Sequence, residues 1–463
     1  MTSVEIELEP LNEQPQETGN ETVPSGGPVA AAEDVANTEP VPRPDGGWGW
    51  LVVLGSFMNH VVIDGTAFSI GVIYVELIDY FGASTADTAW IGAIQYAMVN
   101  LAGPVAEALC KTFTPRTIGM IGTVIAAIGF ILSMFATQIW QLYITFGFLT
   151  GFGFGLKFLP SIVCVHEYFE KRQSLAMGIA VCGTGVGTFA FAPLSEYLIE
   201  IYGWQGALLI ESAIILHGVA FSALFVPLEK KSRETREDEA SLISKLKAAW
   251  KITKELIVEM MDFRLFKNPK FDVYCVCMFL FAVGYVVPMT YLPERAVKQG
   301  YSPREGAWLV SVLGILNMLG RIFVAGVGDR KCVNRFWMFT ICILISGVIT
   351  GGSFLANYIY WLQMTYSGCY GFMIGIFISL ESVVLRDLIS LENLTKGYGL
   401  AIFVGYGIGS LVATPFTGWI FDVTQNYDNS FLVSGGLLVA SALSMVLIPC
   451  LKRCDARTET PAN

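Results

Sequence analysis

Twelve segments of this 463-residue chain are apolar enough and long enough to cross a lipid bilayer as helices. Charged residues make up only 15% of the chain and the mean hydropathy is +0.56, whereas soluble domains carry about a quarter charged residues. We therefore expect an all-α, multi-pass membrane protein with twelve transmembrane helices. The predicted spans cover residues 47–74, 88–110, 116–137, 140–166, 174–201, 205–226, 271–296, 303–327, 334–355, 359–385, 397–421 and 429–451.

The basic residues of the loops predict how the chain is oriented. Of 29 lysines and arginines, 23 fall in the loops after spans 2, 4, 6, 8 and 10 and in the C-terminal tail. The opposite loops hold three, Arg295, Lys298 and Arg304. The positive-inside rule then places both termini in the cytosol.

Composition divides the chain into five regions. Residues 1–44 are acidic and proline-rich, which predicts a disordered cytosolic tail. Residues 45–227 and 271–451 form two six-span halves, and residues 452–463 form a short cytosolic C-tail. Between the halves, residues 228–270 are expected to be a cytosolic linker, with an amphipathic helix near residues 239–261.

The two halves repeat one another. The sequence Gly-Thr-Gly-Val-Gly at Gly183–Gly187 is echoed 222 positions later by Gly-Tyr-Gly-Ile-Gly at Gly405–Gly409. Six plus six spans related by a parallel repeat is the plan of the major-facilitator fold, in which two halves rock about a central site. The glycines predict close helix packing, and not a nucleotide site, because they lie in apolar spans.

Arg321 in span 8 is a candidate substrate residue. A charge at the centre of a membrane helix costs about 2.5–3.5 kcal/mol, so it usually faces a polar cavity or a partner. Asn317 lies four positions earlier, on the same helical face. Together they could hold a carboxylate by charge-assisted hydrogen bonds. Alternatively, the side chain could reach the membrane interface by snorkelling.

Lys157 in span 4 is the second cation within the predicted membrane region. Spans 1, 6 and 10 supply the acids Asp64, Glu211 and Glu381. Lys157 could therefore belong to a binding site, to a structural ion pair or to a proton relay. The sequence leaves open which acid meets which cation.

Other chemistries lack a signature in this sequence. The three histidines have no paired spacing, and the ten cysteines have no spacing typical of metal sites. A catalytic triad, a phosphate-binding loop and a paired-carboxylate site are also missing from the loops. We therefore expect no metal, no cofactor, no enzymatic activity and no nucleic-acid partner.

One motif opens span 1 and a second leads into span 5. Their residues are Asp45, Gly46, Gly47, Trp48, Gly49 and Trp50, and then Tyr168, Phe169, Lys171 and Arg172. Both motifs resemble the signatures of the monocarboxylate transporter family (solute carrier family 16). The resemblance implies a plasma-membrane carrier that moves small organic anions or related solutes by alternating access. In the lactate-carrying members, a single-span glycoprotein of immunoglobulin type assists delivery to the surface.

The resemblance also implies residue roles. Arg321 matches the substrate-binding arginine of the family in span 8. Asn317 stands where proton-coupled lactate carriers have an aspartate, and Phe68 where they have a lysine in span 1. Lys157 stands where those carriers tend to have a neutral polar residue, so it could replace the lost lysine. The implied substrate site is Arg321, Lys157, Asn317 and Phe68, and any proton relay falls to Asp64, Lys157 or Glu381.

The first hypothesis is therefore a secondary carrier of small carboxylate-bearing solutes, with or without a coupled proton. An alternative within transport is a proton-independent facilitator of zwitterions or amino-acid-like solutes, the kind of substrate (creatine, carnitine, aromatic amino acids) that other family members carry. A third hypothesis is a non-transporting sensor that acts through the acidic tail and the linker.

Overall fold

The computed structural model describes residues 44–228, 242–260, 263–327, 334–389 and 394–458. The predicted tail up to residue 43, the first part of the linker and residues 459–463 lie outside the described residues. The described residues from 44 onward group into one compact unit, which contains both predicted halves. The boundary between the halves therefore remains a prediction.

Sixteen α-helices account for most of the described residues. Two π-helical segments, Tyr143–Thr150 and Phe403–Gly409, join α5 to α6 and α14 to α15. The α-helices are α1 (Gly49–Phe81), α2 (Thr85–Leu101), α3 (Gly103–Thr112), α4 (Pro115–Ser133), α5 (Ile139–Leu142), α6 (Gly151–Tyr168), α7 (Gln173–Leu216), α8 (Gly218–Ala223), α9 (Leu242–Met260), α10 (Pro269–Lys298), α11 (Pro303–Val327), α12 (Arg335–Gly351), α13 (Tyr360–Leu388), α14 (Leu394–Ile402), α15 (Ser410–Thr424) and α16 (Tyr427–Thr458).

Nine helices of the described chain are long and apolar enough to cross a membrane. Twelve spans are consistent with this number. One helical run, Leu175–Ala223, covers predicted spans 5 and 6, which bend at Gly203, where φ is 70°. Span 2 is divided into α2 and α3, and span 9 contains the shorter helix α12. The prediction of an all-helical, multi-pass membrane protein is confirmed.

Local sequence signals explain where several helices begin and end. Gly82, with φ at 57°, ends α1 in the left-handed conformation that glycine adopts without strain. Ser84 then caps α2 by accepting a hydrogen bond from the Asp87 amide. The break between α2 and α3 falls at Ala102, just before Pro104 near the start of α3. The helix bundle has two ends. We refer to the end at which α1 ends as the distal end, and to the end at which α1 begins as the terminal end.

Gly183, Gly185 and Gly187, which we call the glycine ladder of the first half, pack α7 between α1 and α11. A methyl group at Gly183 or Gly187 would overlap the carbonyl oxygens of Phe57 and Val61 on α1. A methyl group at Gly185 would instead lie 2.7 Å from the carbonyl oxygen of Gly314 on α11. Gly183 and Gly187 therefore hold α7 against its own half, and Gly185 holds it against the other half.

The second ladder has the same arrangement in the other half. Gly405 and Gly409 face Met278 and Ala282 on α10, while Gly407 faces Leu101 on α2 of the first half. The 222-residue repeat in the sequence thus corresponds to a repeated packing pattern in space. The halves also meet where α2 packs against α15 and where α1 packs against α10.

Candidate functional site

Arg321 lies on a stretch of α11 that is packed closely on two sides. A methyl group at Gly375 of α13 would overlap the Asn317 carbonyl oxygen and would lie 3.2 Å from the Arg321 amide nitrogen. On another face of α11, Gly185 of α7 approaches Gly314. The absence of side chains at these contacts leaves the backbone of α11 little room to move, and this fixes the start of the Arg321 side chain.

The guanidinium of Arg321 is oriented by Asn317. Arg321 Nε donates a 3.0 Å hydrogen bond to Asn317 Oδ1, and the Asn317 side chain is buried. Arg321 is half-buried and forms no ion pair with any acid in the described part of the chain. Because the Nε hydrogen is used by Asn317, the two terminal amino groups of the guanidinium are left for other acceptors.

Glu381 on α13 is a buried carboxyl group near Arg321. Its Oε2 accepts a 3.0 Å hydrogen bond from the Tyr406 hydroxyl, and its main-chain oxygen accepts one of 3.1 Å from Tyr274. Its Oε1 has no hydrogen-bond partner among the described residues. Glu381 is 3% exposed and within electrostatic range of Arg321. One oxygen of this carboxyl group is therefore buried without a described partner, an arrangement that favours a bound water or a polar group of a ligand beside it.

Asp64 brings a second acid to the same region from the first half. It is half-buried, and its Oδ2 accepts a 2.6 Å hydrogen bond from the Thr184 hydroxyl. The hydroxyls of Tyr96 on α2 and Tyr285 on α10 interact, and both rings lie within electrostatic range of Asp64 and Glu381. Tyr285 is also within range of Arg321. The two acids thus lie within electrostatic range of a tyrosine from each half, and Arg321 lies within range of one of these tyrosines.

Lys157 occupies a different place, inside the first half. Its side chain is wholly buried, and its Nζ has no hydrogen-bond partner in the described structure. A methyl group at Gly218 of α8 would lie 2.5 Å from Nζ. Glu211 is also wholly buried, but it accepts its hydrogen bond from Ser195, across the bend of α7 at Gly203, at 2.5 Å. Neither Glu211 nor another described acid pairs with Lys157, and its role in substrate binding remains a prediction.

Phe68 lies at the contact between the halves. It is 9% exposed, and its ring centroid is 6.0 Å from that of Tyr96. It lines a cavity of about 20 Å³ together with residues of α1, α2 and α10, among them Met289 and Thr290. Such a volume holds about one water molecule. Where lactate carriers have a lysine, this chain therefore places an aromatic ring in a narrow contact.

Hydrogen bonds join the two halves at the distal end. The Asp422 carboxylate at the end of α15 accepts 3.0 Å bonds from the main-chain amides of Thr85 and Ala86, the first residues of α2. Arg304 of α11 forms an ion pair with Glu200 of α7. These contacts hold the halves together on the distal side of Arg321.

The two signature motifs form one structure at the terminal end. Asp45 Oδ1 accepts hydrogen bonds from the amides of Glu170 and Lys171, both at 2.8 Å, and from Arg172 at 3.4 Å. These amides, with that of Glu170 first, hold the pKa of Asp45 below its ordinary value. Asp45 has φ of 49°, in the left-handed region. The first motif thus binds the turn that precedes α7, across more than 120 residues of sequence.

Aromatic contacts complete this docking of the motifs. The Trp50 and Phe169 rings meet edge to face at 5.0 Å. A methyl group at Gly49 would lie 2.9 Å from the Phe169 ring. Trp48 Nε1 donates a 3.0 Å bond to the main-chain oxygen of Leu224. The motifs were identified from the sequence, but no local signal shows that they contact each other.

Comparisons with known proteins agree with the fold and with the motifs. The profile of the Major Facilitator Superfamily matches residues 52–401 and 274–461. The chain is 33% identical over 420 residues to monocarboxylate transporter 13 of Bos taurus, covering 91% of this chain and 94% of that protein. It is 32% identical over 426 residues to monocarboxylate transporter 12 of Xenopus laevis, covering 89% and 90%. Identity to monocarboxylate transporter 14 of Homo sapiens is 30% over 488 residues, covering 91% and 94%.

Proposed function

This chain belongs to the monocarboxylate transporter family of the major facilitator superfamily, and on that premise we propose that it moves small carboxylate-bearing solutes across the plasma membrane. It is a multi-pass membrane protein and a secondary transporter. The solute would bind between the halves and cross by alternating access.

The observation that supports a carboxylate substrate is the orientation of Arg321. Asn317 accepts the Nε hydrogen, and no described acid neutralises the guanidinium. A carboxylate can accept two parallel hydrogen bonds from a guanidinium, and this arrangement is strong and directional. A small organic anion would therefore complete the coordination of the arginine and compensate for its desolvation.

A second candidate, the facilitated movement of zwitterions, is favoured by the two acids. Asp64 and Glu381 lie near Tyr96, Tyr285 and the other aromatic rings of the central contact. Carboxylates and aromatic faces both attract cationic groups. A solute with a carboxylate at one end and a cation at the other would match Arg321 and the acids together. Because Asn317 cannot carry a proton, any coupling to a pH gradient would depend on Asp64, Lys157 or Glu381.

The distal hydrogen bonds suggest which state of the transport cycle the structure represents. With the termini in the cytosol, the distal end faces outward, and the contacts of Asp422 and Arg304 close it. Opening the site to the outside would require these contacts to separate. The structure therefore corresponds to an outward-closed state in this proposal.

Removal of the Arg321 charge tests the carboxylate proposal. Labelled monocarboxylates, amino acids, creatine and carnitine would be supplied to oocytes that express the wild-type chain, Arg321→Ala or Arg321→Lys. We expect Arg321→Ala to abolish uptake, and Arg321→Lys to recover only part of it because the ammonium cannot bind in two-pronged fashion. Arg386→Ala, on the exposed part of α13, is the control. Normal uptake by Arg321→Ala at equal surface abundance would refute the assigned role.

Removal of the two acids distinguishes the candidates. Each solute would be paired with an analogue that lacks the cationic group, and uptake by Asp64→Asn and Glu381→Gln would be measured with and without an imposed pH gradient. The zwitterion proposal expects the variants to lose uptake of the cation-bearing solute and to retain that of the analogue. A loss of both solutes together with the gradient dependence would instead assign the acids to a proton relay.

A further inference from the structure

Helix α9, in the linker between the halves, packs one face on the bundle. Ala249 and Thr253 are 3% and 4% exposed, and the helix contacts α3 of the first half and α14 of the second. The partly buried residues Ile252 and Leu256 continue the same face. The bundle therefore covers one side of α9. These contacts fix the rotation of the helix about its own axis, and so they determine which residues face away from the bundle.

A second sector of α9 is apolar and uncovered by the described chain. The exposed fractions of Ile243, Leu246, Trp250 and Ile257 are 64%, 49%, 73% and 41%. Their spacing of three, four and seven residues places them in one stripe along the helix. Four large apolar side chains exposed in line on one helix are costly in water, so the stripe needs a covering surface.

Lysines line the edge of the stripe that faces away from the bundle. Lys247, Lys251 and Lys254 are exposed. Because each residue of an α-helix is rotated by about 100° from the one before it, these lysines lie next to the stripe, on the side away from the bundle. Lys251 is 4.0 Å from Glu255, one helical turn away and exposed, so this pair neutralises little of the charge. A helix with an apolar stripe, a tryptophan and a basic edge has the composition of helices that lie in a membrane interface.

We propose that α9 lies in the headgroup layer of the leaflet at the terminal end, with its stripe among the acyl chains and its lysines on anionic phospholipid headgroups. The covering surface is then the bilayer that already surrounds the helices on which α9 packs. The three lysines would each attract anionic lipid more strongly than zwitterionic lipid. Because α9 contacts both halves, its attachment to the leaflet would couple lipid composition to opening at the terminal end.

Depth measurements on the full-length protein test where the stripe lies. Trp250→Cys and Ala248→Cys would be spin-labelled in a background without the ten native cysteines and reconstituted in nanodiscs of phosphatidylcholine and phosphatidylserine. Ala248 is exposed and lies about 200° around the helix from Trp250, so it is the matched control. We expect the label at 250 to be accessible to oxygen and the label at 248 to a water-soluble nickel complex. Access of the nickel complex to both sites, or of neither reagent to site 250, would overturn the proposal, the second result indicating a protein cover.

The lysines are tested by lipid selectivity, which needs no cysteine-free background. Association of spin-labelled phosphatidylserine, relative to phosphatidylcholine, would be compared between Lys247→Gln/Lys251→Gln/Lys254→Gln and the corresponding triple arginine variant. We expect the glutamine variant to lose about fivefold or more of the selectivity and the arginine variant to keep it. Equal selectivity in the two variants would overturn the assignment of anionic lipid, even if the stripe is immersed.

Discussion

The two glycine ladders share a sequence pattern and a packing direction, but they differ in what they touch. In the first half, Gly183 and Gly187 meet main-chain carbonyl oxygens of α1. In the second half, Gly405 and Gly409 meet the side-chain carbons of Met278 and Ala282, at 3.0 and 2.9 Å. The contacts of the first ladder are shorter, so an added methyl group there would force the helices apart, whereas the longer contacts of the second ladder are relieved by a shift of a few tenths of an ångström. The first ladder therefore sets the distance between helices, and the second leaves room for adjustment.

The glycine at the centre of each ladder extends this contrast to the interface between the halves. Gly185 approaches the main chain of α11 at Gly314, on the helix that carries Arg321. Gly407 approaches only the end of the Leu101 side chain, at 2.9 Å, and it lies in a π-helical segment. We infer that the contact between α7 and α11 is more rigid than the contact of Gly407 with Leu101, the other of these two contacts between the halves.

The largest effect is expected for Gly187→Ala. The added methyl group would overlap the Val61 carbonyl oxygen, so α1 and α7 must separate. Overpacking of this kind costs about 3 kcal/mol. Unfolding of the purified protein in detergent would measure the loss. Gly436→Ala in α16, where no atom lies within 4 Å of the new methyl group, is the control. Equal stability of these two variants would remove the basis of the comparison.

A smaller effect is expected for the equivalent substitution in the second half, Gly409→Ala. Here the new methyl group meets the Cβ of Ala282 at 2.9 Å and the nearest carbonyl oxygen only at 3.3 Å. A shift of a few tenths of an ångström relieves the contact, so we expect a cost of about 1 kcal/mol. The same unfolding assay applies. A loss as large as that of Gly187→Ala would show that the two ladders are equally rigid.

Gly407→Ala should be close to neutral. Leu101 can rotate away from the new methyl group, and alanine favours a regular helix over glycine by up to about 1 kcal/mol. The rate of solute uptake is the more sensitive measurement, because Gly407 lies at a contact between the halves. We expect unchanged stability with a changed transport rate. A large loss of stability would mean that Leu101 is held in place.

A further small effect on stability concerns Asp45, which links the residues before α1 to the turn before α7. Its pKa lies below the ordinary value because backbone amides bind the carboxylate. The carboxylate therefore adds stability above about pH 4, and this contribution is lost as the pH falls through the lowered pKa. Asp45→Asn should lower the melting temperature slightly at pH 7, and the difference from the wild type should shrink as the pH falls below about 4. A difference that stays constant as the pH falls would indicate a role for the side-chain shape instead of the charge.

The sequence predicted most of the fold because length and apolar composition decide whether a segment can span a membrane. The 222-residue repeat of the glycine ladders also predicted the matching close packing of α7 and of the π-helical segment between α14 and α15. The division of span 2 at Ala102 was not predicted, although Gly103 and Pro104 gave a local signal for it. The spacing of residues along the chain was sufficient for these features.

The site was less predictable because its geometry depends on contacts between distant helices. Asn317 and Arg321 could be paired from their spacing of four residues, and the structure shows their hydrogen bond. The bond from Tyr406 to Glu381 and the position of Lys157 against Gly218 depend on how helices rotate against one another. Sequence periodicity assigns a residue to a face, but it does not say which residue of another helix that face meets.

The hydrogen bonds between Asp422 and the start of α2, which we call the distal latch, have a consequence for natural variation. Its donors are the main-chain amides of residues 85 and 86, which are present whatever side chains those positions carry. Drift at these two positions would leave the latch intact, with proline as the exception because it has no amide hydrogen. Genetic change could therefore remodel the start of α2 at the distal end, while this contact continues to depend on the single carboxylate of Asp422.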